Sequence, residues 1–241
     1  PVKRVLPPLS SLVAFSTTAD PIFLIGAVSV GFFHSQTLAP ILLLSHYGAA
    51  IIVGLCMRFY GNNEYAPSYE HRGVKPNGIK AAIMAMHTAR IANPIPIGKL
   101  LTRAIQSALE IILLLGGLVI FISVVIEMLT ASGLMQYLYS GTESLLALLH
   151  LPVGITQPFI DGVFEVTIGA KAAAETDEIG TLIQVIMACL IVSWGGLSVH
   201  AQIVGLLSHT DLRYKPFILA RFLHGVFAAV LAFIIFQYVV L

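Results

Sequence analysis

Apolar residues occur along the chain in runs long enough to cross a bilayer, and two of these runs are interrupted by polar and helix-breaking residues. A bilayer core needs about 20 apolar residues of helix. The predicted spans cover residues 11–33, 37–57, 100–129, 180–208 and 216–240, and a shorter apolar helix covers 133–150. The polar stretch 58–99 is predicted to contain one helix near 78–92. This pattern predicts an all-α membrane protein, a polytopic helical bundle with two broken transmembrane helices.

Residues 151–178 have a different pattern, because prolines and glycines recur among their apolar residues. These are Pro152, Gly154, Pro158, Gly162 and Gly169. Such a segment is predicted to form a re-entrant hairpin, two short helices that enter and leave the bilayer on the same side.

The two interruptions fall at Ser16–Pro21 in the first span and at Ser193–Gln202 in the span 180–208. Backbone inside hydrocarbon must satisfy its own hydrogen bonds, so a break at depth is tolerated only where protein buries it or a wet cavity adjoins it. Two broken helices in one chain are typical of a transporter with a binding site near the bilayer midplane.

Composition supports the membrane assignment and excludes several other classes. The chain is 57% hydrophobic and 10% charged, whereas soluble domains carry about 25% charged residues. A net charge of +1 provides no strong positive electrostatic field that would attract nucleic acid. Cys56 and Cys189 lie in apolar runs and are interpreted as buried hydrophobes. We find no metal-ligand spacing, nucleophile elbow or phosphate loop, so neither an enzyme nor a cofactor is predicted, and a coupling cation stays open.

The basic residues orient this layout. With 151–178 as a hairpin, all of the 13 Lys and Arg except Lys171 fall on one side, which the positive-inside rule makes cytoplasmic. A full crossing would place Arg213 and Lys215 outside. Residues 1–241 are thus predicted to form a single membrane domain that contains a cytoplasmic loop at 58–99.

Glu165 is the leading candidate for chemistry in the hairpin, because it lies among valine, phenylalanine and isoleucine. A carboxylate in such surroundings is costly unless it is paired or faces water. It is interpreted as a substrate-binding, cation-binding or proton-accepting group, with an ion pair to Lys171 as the alternative. Thr167 follows it, where backbone amides are expected to point at a ligand. Asp161 either shares the site or caps the second helix of the hairpin.

The second interruption contains neutral polar and small residues that are predicted to line a site for a polar planar molecule. These residues are Ser193, Gly195, Gly196, Ser198 and Gln202. The alternative is that serine and glycine only allow close helix packing. His200 and Trp194 are interpreted as structural residues.

The first interruption contributes hydroxyls from Ser16 and Thr17 as further substrate-binding candidates. Asp20 and Pro21 have the pattern of an N-cap followed by proline at the first helical position. A site role for Asp20 stays open, since the new helix N-terminus favours an anion and the carboxylate favours a cation.

Three segments of the chain resemble the YlbJ-like group of sporulation integral membrane proteins, which carry the nucleoside-recognition or Gate domain. The similarity covers most of the chain, and it is carried by Phe15-Ser-Thr-Thr-Ala-Asp-Pro-Ile-Phe-Leu-Ile-Gly-Ala-Val, Gly162-Val-Phe-Glu-Val-Thr-Ile-Gly-Ala-Lys and Ser193-Trp-Gly-Gly-Leu-Ser-Val-His-Ala-Gln. Asp20 departs from the family pattern, which has a small residue before that proline. The family's upstream re-entrant hairpin is absent, so we expect this chain to be the C-terminal part of a longer transporter.

The resemblance implies a fold distantly similar to concentrative nucleoside transporters, with Glu165 as the hairpin acid and residues 193–198 as the unwound-helix contact. It implies movement of dipicolinic acid from the mother cell into the developing spore, by a protein of the bacterial cell membrane that lies in the outer forespore membrane. Glu165 suits a dianion only when it is protonated or bridged by a cation such as Ca²⁺. Ion-coupled nucleoside transport therefore stays open, as does a scaffold or signalling subunit. The expected partners are a small-molecule substrate and the lipid bilayer, with a homo-oligomer also open.

Overall fold

The computed structural model describes residues 13, 16–57, 79–92, 94–208 and 214–239, and for residues 79–82 and 89 the backbone only. Residues 58–78 of the predicted loop 58–99, residues 11, 12, 14 and 15 of the predicted first span, and the topological charges Lys3, Arg4 and Arg213 lie outside this part. The described residues form helices, turns and bends and no strand.

Ten helices follow one another along the described residues. They are α1 (Phe23–Phe32, wound as a π-helix), α2 (Ala39–Met57), α3 (Ile79–Ala92), α4 (Ile97–Ala131), α5 (Leu134–Leu148), α6 (Thr156–Phe164), α7 (Val166–Glu175), α8 (Thr181–Trp194), α9 (Gly196–Leu207) and α10 (Tyr214–Val239). Single 3₁₀ turns, Gln36–Leu38 and Val153–Ile155, precede α2 and α6.

Four helical segments are long and apolar enough to cross a membrane: Gln36–Met57, Ile97–Ala131, Thr181–Leu207 and Tyr214–Val239. They match four of the predicted spans, so the all-α membrane class is confirmed. The predicted helix near 78–92 is α3, and the short apolar segment 133–150 contains α5. The described part of the first span adds only the shorter α1.

Contacts divide the described residues into two compact units. One lies within Pro1–Tyr65 and Leu118–Leu241, and the other lies within Ala66–Gly117. The second unit contains α3 and the first part of α4, with no candidate site residue. All candidate site residues belong to the first unit.

The core of the first unit forms where α10 packs between α2 and α8. Small side chains face one another in these helices, and Ala49, Ala188, Ala228 and Ala232 are fully buried there. In lipid the association of helices depends on packing rather than on a hydrophobic driving force, and small residues allow the backbones to approach. The core therefore holds three helices closely enough for their backbones to share polar partners.

Helices α6 and α7 form a helical hairpin within the segment 151–178. A Cβ on Gly169 would overlap the backbone Cα and N atoms of Gly162, so the two helices touch backbone to backbone. At the base, a Cβ on Gly154 would lie 3.2 Å from Glu178 Cβ, and so both ends of the hairpin lie together. A Cβ on Gly162 would lie 2.6 Å from Ile191 Cγ1, which places the hairpin against α8.

Candidate functional site

The second interruption is a break between α8 and α9. Gly195 and Gly196 adopt φ angles of 90° and 67°, a left-handed conformation that glycine adopts at low cost because it has no Cβ. The amide of Gly195 closes α8 by donating to Ile191 O at 2.8 Å. Helix α9 then begins with no side chain capping its first turn. The chain therefore presents an uncapped helix N-terminus in the middle of an apolar span.

The tip of the hairpin lies against this break. A Cβ on Gly196 would lie 3.1 Å from both Phe164 O and Val166 N. Glu165 forms the tip with an extended backbone, and its carboxylate is the N-cap of α7, accepting from Ile168 N at 2.8 Å. The carboxylate side chain is almost fully buried, with 1% of the residue exposed. The hairpin and the broken span thus place two backbone interruptions side by side.

Two structural alternatives from the sequence do not hold. Lys171 Nζ lies 3.8 Å from the carboxylate of Glu175, on the exposed side of α7, so it is not the partner of Glu165. The cap of α7 is Glu165 rather than Asp161, whose carboxylate accepts from Tyr139 OH at 2.7 Å and so ties α6 to α5. The i, i+4 position of Lys171 and Glu175 on one helix explains the pairing.

The first interruption is non-helical at residues 17–20, and a new helix begins at Pro21. Asp20 Oδ1 accepts from Ile22 N at 2.6 Å, which matches the predicted cap. The hydroxyls of Ser16 and Thr17 both donate to Val13 O. Ser16 is exposed, so its hydroxyl closes a local turn rather than facing the α8–α9 break.

Arg221 of α10 joins the two interruptions. Its Nε donates to Trp194 O at 3.1 Å, at the end of α8, and its Nη1 donates to Thr17 O in the first interruption. The residue is 2% exposed. Arg221 is one of the basic residues predicted to lie on the cytoplasmic side, and the structure adds that its guanidinium is buried and connects the two interruptions.

His46 of α2 makes a second connection between the same two segments. Its Nε2 accepts from Ala19 N at 2.9 Å, so the ring proton is on Nδ1, which donates to Ser193 Oγ at 2.8 Å. Tyr47 OH donates to Ala19 O at 2.7 Å. The hydroxyl of Ser193, predicted to bind substrate, thus has a protein partner in this structure.

Unpartnered polar atoms concentrate at the α8–α9 break. Five buried side-chain N or O atoms in the described residues lack a hydrogen bond of good geometry, and three of them are Trp194 Nε1, Ser198 Oγ and His200 Nε2. Ser198 is 1% exposed and lies in the first turn of α9. The rings of Trp194 and His200 lie against each other with centroids 4.3 Å apart. Buried polar groups in proteins are normally hydrogen-bonded, so this cluster is the candidate binding site.

The two remaining candidates, Thr167 and Gln202, are half-buried on α7 and α9. Thr167 lies two residues beyond the hairpin tip, and Gln202 lies about 9 Å along α9 from its start, at 1.5 Å per residue. Thr167 therefore lies within one turn of the hairpin tip, whereas Gln202 lies more than one turn from the α8–α9 break.

A separate cavity of about 650 Å³ opens at the other end of α8. Its polar lining residues include Ser35, Thr37, Thr181 and Gln184. Gln184 and Trp194 are ten residues apart on one helix, which is about 15 Å. The cavity therefore lies apart from the break, near the start of α8.

Comparison with known proteins gives one curated relative, the sporulation integral membrane protein YlbJ of Bacillus subtilis (strain 168). Identity is 38% over 226 residues, which cover 94% of this chain and 55% of the relative. Over these residues the chain belongs to the YlbJ-like family. The chain spans about half the length of the curated relative it matches. No family model matches the chain, and no solved structure matches it.

Sequence reasoning missed three buried residues of this YlbJ-like chain, namely Arg221, His46 and His224. The signal was present, because an ionisable residue inside a predicted span is a functional or connecting group by default. In the sequence, this rule singled out Glu165. No cluster of metal-binding side chains occurs among the described residues.

We expect His46→Ala to lower the free energy of unfolding by about 2–4 kcal/mol, since it leaves the half-buried Ala19 amide and the buried Ser193 hydroxyl without partners. Thermal unfolding in detergent measures the effect as a loss of several degrees in Tm. His87→Ala is the control, because His87 is an exposed histidine of α3. Equal Tm values for the two variants would contradict the connecting role of His46.

Proposed function

We propose that this chain contributes the binding site of a membrane transporter for a small polar or anionic metabolite. The observation that carries the proposal is the cluster of buried, unpartnered polar atoms at the α8–α9 break. A break in a spanning helix needs polar partners for its exposed backbone and side-chain groups, and here the protein leaves Trp194 Nε1 and Ser198 Oγ without any. A bound polar molecule supplies those partners.

The position of the hairpin supports the same proposal. Its tip touches the break at Gly196 and its two ends lie together, which is the arrangement of a re-entrant hairpin beside a broken helix. On this proposal the hairpin enters and leaves the bilayer on one side, and the chain is Gate-like, with a fold related to concentrative nucleoside transporters. No cofactor or catalytic residue takes part.

The chemistry of the break favours a ligand rich in hydrogen-bond acceptors. An indole N–H only donates, and the N-terminus of α9 is a donor end with a partial positive charge. Dipicolinic acid, with two carboxylates and a ring nitrogen, has this character. We propose its movement into the developing spore, at the outer forespore membrane, in keeping with the sporulation protein to which the chain is similar.

Uptake into proteoliposomes of the purified full-length protein tests the function. We expect uptake of radiolabelled dipicolinate. Ser198→Ala should raise the KM for dipicolinate roughly 5-fold, which corresponds to the loss of about one neutral hydrogen bond. The control is Ser140→Ala, which removes an exposed hydroxyl of α5 that bonds to its own helix.

Other outcomes separate the alternatives. Uptake of uridine without uptake of dipicolinate would identify a nucleoside transporter. Uptake of neither ligand by a correctly assembled protein, with Glu165→Ala behaving as wild type, would favour a scaffold or signalling subunit and overturn the proposal.

A further inference from the structure

Arg221 is a buried cation whose hydrogen-bond partners are all neutral. They are the backbone oxygens of Thr17, Val192 and Trp194 and the ring nitrogen Nδ1 of His224. Among the described residues, no carboxylate lies within 4.0 Å of the guanidinium. The ion pair that these residues do form joins Lys171 to Glu175 on α7. A buried charge without an opposite charge is expensive in a membrane protein.

The histidines beside Arg221 do not change its charge balance. His224 Nε2 donates to His46 O at 2.9 Å, so its Nδ1 carries a lone pair and accepts from Arg221 Nη1 at 3.2 Å. His46 accepts an amide proton on Nε2 and is likewise neutral. The connector formed by Arg221, His224 and His46 therefore carries a net charge of +1.

The Nη2 nitrogen of the guanidinium lies beside the α8–α9 break. Nη2 has two N–H groups, and its described acceptor is Val192 O at the long distance of 3.4 Å. The same nitrogen would lie 3.1 Å from a Cβ on Gly195. A charged donor thus lies beside the glycine that precedes α9, where Ser198 Oγ has no protein partner.

We propose that Arg221 is the specificity-determining residue of this site and selects ligands that carry a carboxylate. The guanidinium supplies the charge, and the first turn of α9 supplies neutral donors. Glu165 caps α7 and forms no ion pair with Arg221, since no carboxylate among the described residues lies within 4.0 Å of the guanidinium. This inference rests on the proposed function for its site, and it adds the residue that decides between a charged and an uncharged ligand of the same shape.

The test compares two ligands of similar shape, the charged dipicolinate (pyridine-2,6-dicarboxylate) and the uncharged pyridine-2,6-dicarboxamide. Binding to the purified full-length protein in detergent is followed by the ligand-induced rise in Tm. We expect wild type to bind the dicarboxylate more tightly. Arg221→Gln should weaken dicarboxylate binding roughly 10- to 100-fold, the range for hydrogen bonds to charged groups, and leave dicarboxamide binding within about 3-fold.

Lys215→Gln is the matched control, because it removes a positive charge from an exposed position on the first turn of α10. It should leave the preference for the dicarboxylate unchanged. Arg221→Lys keeps the charge but loses the planar fork of donors, so we expect it to bind the dicarboxylate about 10-fold more weakly and still prefer it to the dicarboxamide.

Two results would overturn the inference: a wild-type protein that binds both ligands equally, or an Arg221→Gln variant that keeps the wild-type preference. If Arg221→Gln does not assemble, Arg221→Lys decides, and loss of its preference for the dicarboxylate overturns the inference. A protein that shows the charge preference but transports neither dipicolinate nor uridine would refute the proposed function and leave the role of Arg221 intact.

Discussion

Gly169→Ala is expected to prevent the hairpin from closing and to leave little folded protein. The added Cβ would overlap the backbone of Gly162, well inside the separation of about 3.5 Å at which carbon atoms attract. It would also lie 3.1 Å from Pro158 O. Backbone cannot rotate away as a side chain does, so α6 and α7 must separate. We expect a loss of about 4 kcal/mol or more, which is large against a total stability of about 5–15 kcal/mol.

The measurement for Gly169→Ala is the yield of monodisperse protein after detergent extraction, together with its Tm. Gly141→Ala is the control, because Gly141 lies inside α5 with no heavy atom within 4 Å of an added Cβ. There alanine should be neutral or stabilise by up to about 1 kcal/mol through its better helix propensity. Normal yield and Tm for Gly169→Ala would show that the two helices are not packed backbone to backbone.

Gly196→Ala is expected to reduce substrate uptake strongly while the protein still assembles. The φ angle of 67° costs an alanine about 1–2 kcal/mol, and the Cβ would press on Phe164 O and Val166 N at 3.1 Å. The hairpin tip must then move away from α9. A displacement of positioned groups by about 1 Å can lower a rate roughly 100-fold. We therefore expect the rate of uptake to fall by about that factor.

The control for Gly196→Ala lies on the same helix. An added Cβ on Gly205 meets no heavy atom within 4 Å, so Gly205→Ala should transport as wild type. Uptake in proteoliposomes is normalised to the amount of protein recovered after reconstitution. A Gly196→Ala variant with wild-type uptake would show that contact between the tip and the break has no part in transport.

The buried carboxylate at the tip has a structural role that its sequence context did not predict. Glu165 was predicted to bind substrate or a cation or to accept a proton, with an ion pair to Lys171 as the alternative, and the structure shows that its carboxylate caps α7. A capping carboxylate neutralises the positive end of its own helix. An anionic ligand is therefore better received by the uncapped α9 than by α7, and Arg221 provides the nearby positive charge.

Much of the fold was predictable, because span length, helix breaks and close glycine packing are local properties of the chain. The runs 37–57, 180–208 and 216–240 and the glycine-rich hairpin all became the helices expected. The cap at Asp20 was also predictable, since a capping oxygen acts within its own first turn. The partners of buried polar residues were not predictable in this way. They depend on which spans pack against each other, and the pattern within one span does not specify its neighbours.

The sequence alone determined that this protein is an all-α membrane protein with interrupted helices, since hydrocarbon requires long apolar runs and tolerates breaks only where polar partners exist. Only the tertiary structure decided which partners those are. Arg221 and Thr17 are separated by 204 positions and His46 and Ser193 by 147, yet they join the two interruptions. Such pairs form because packing of α10 against α2 and α8 brings together backbone breaks that are distant in the sequence. No local sequence pattern specifies that contact.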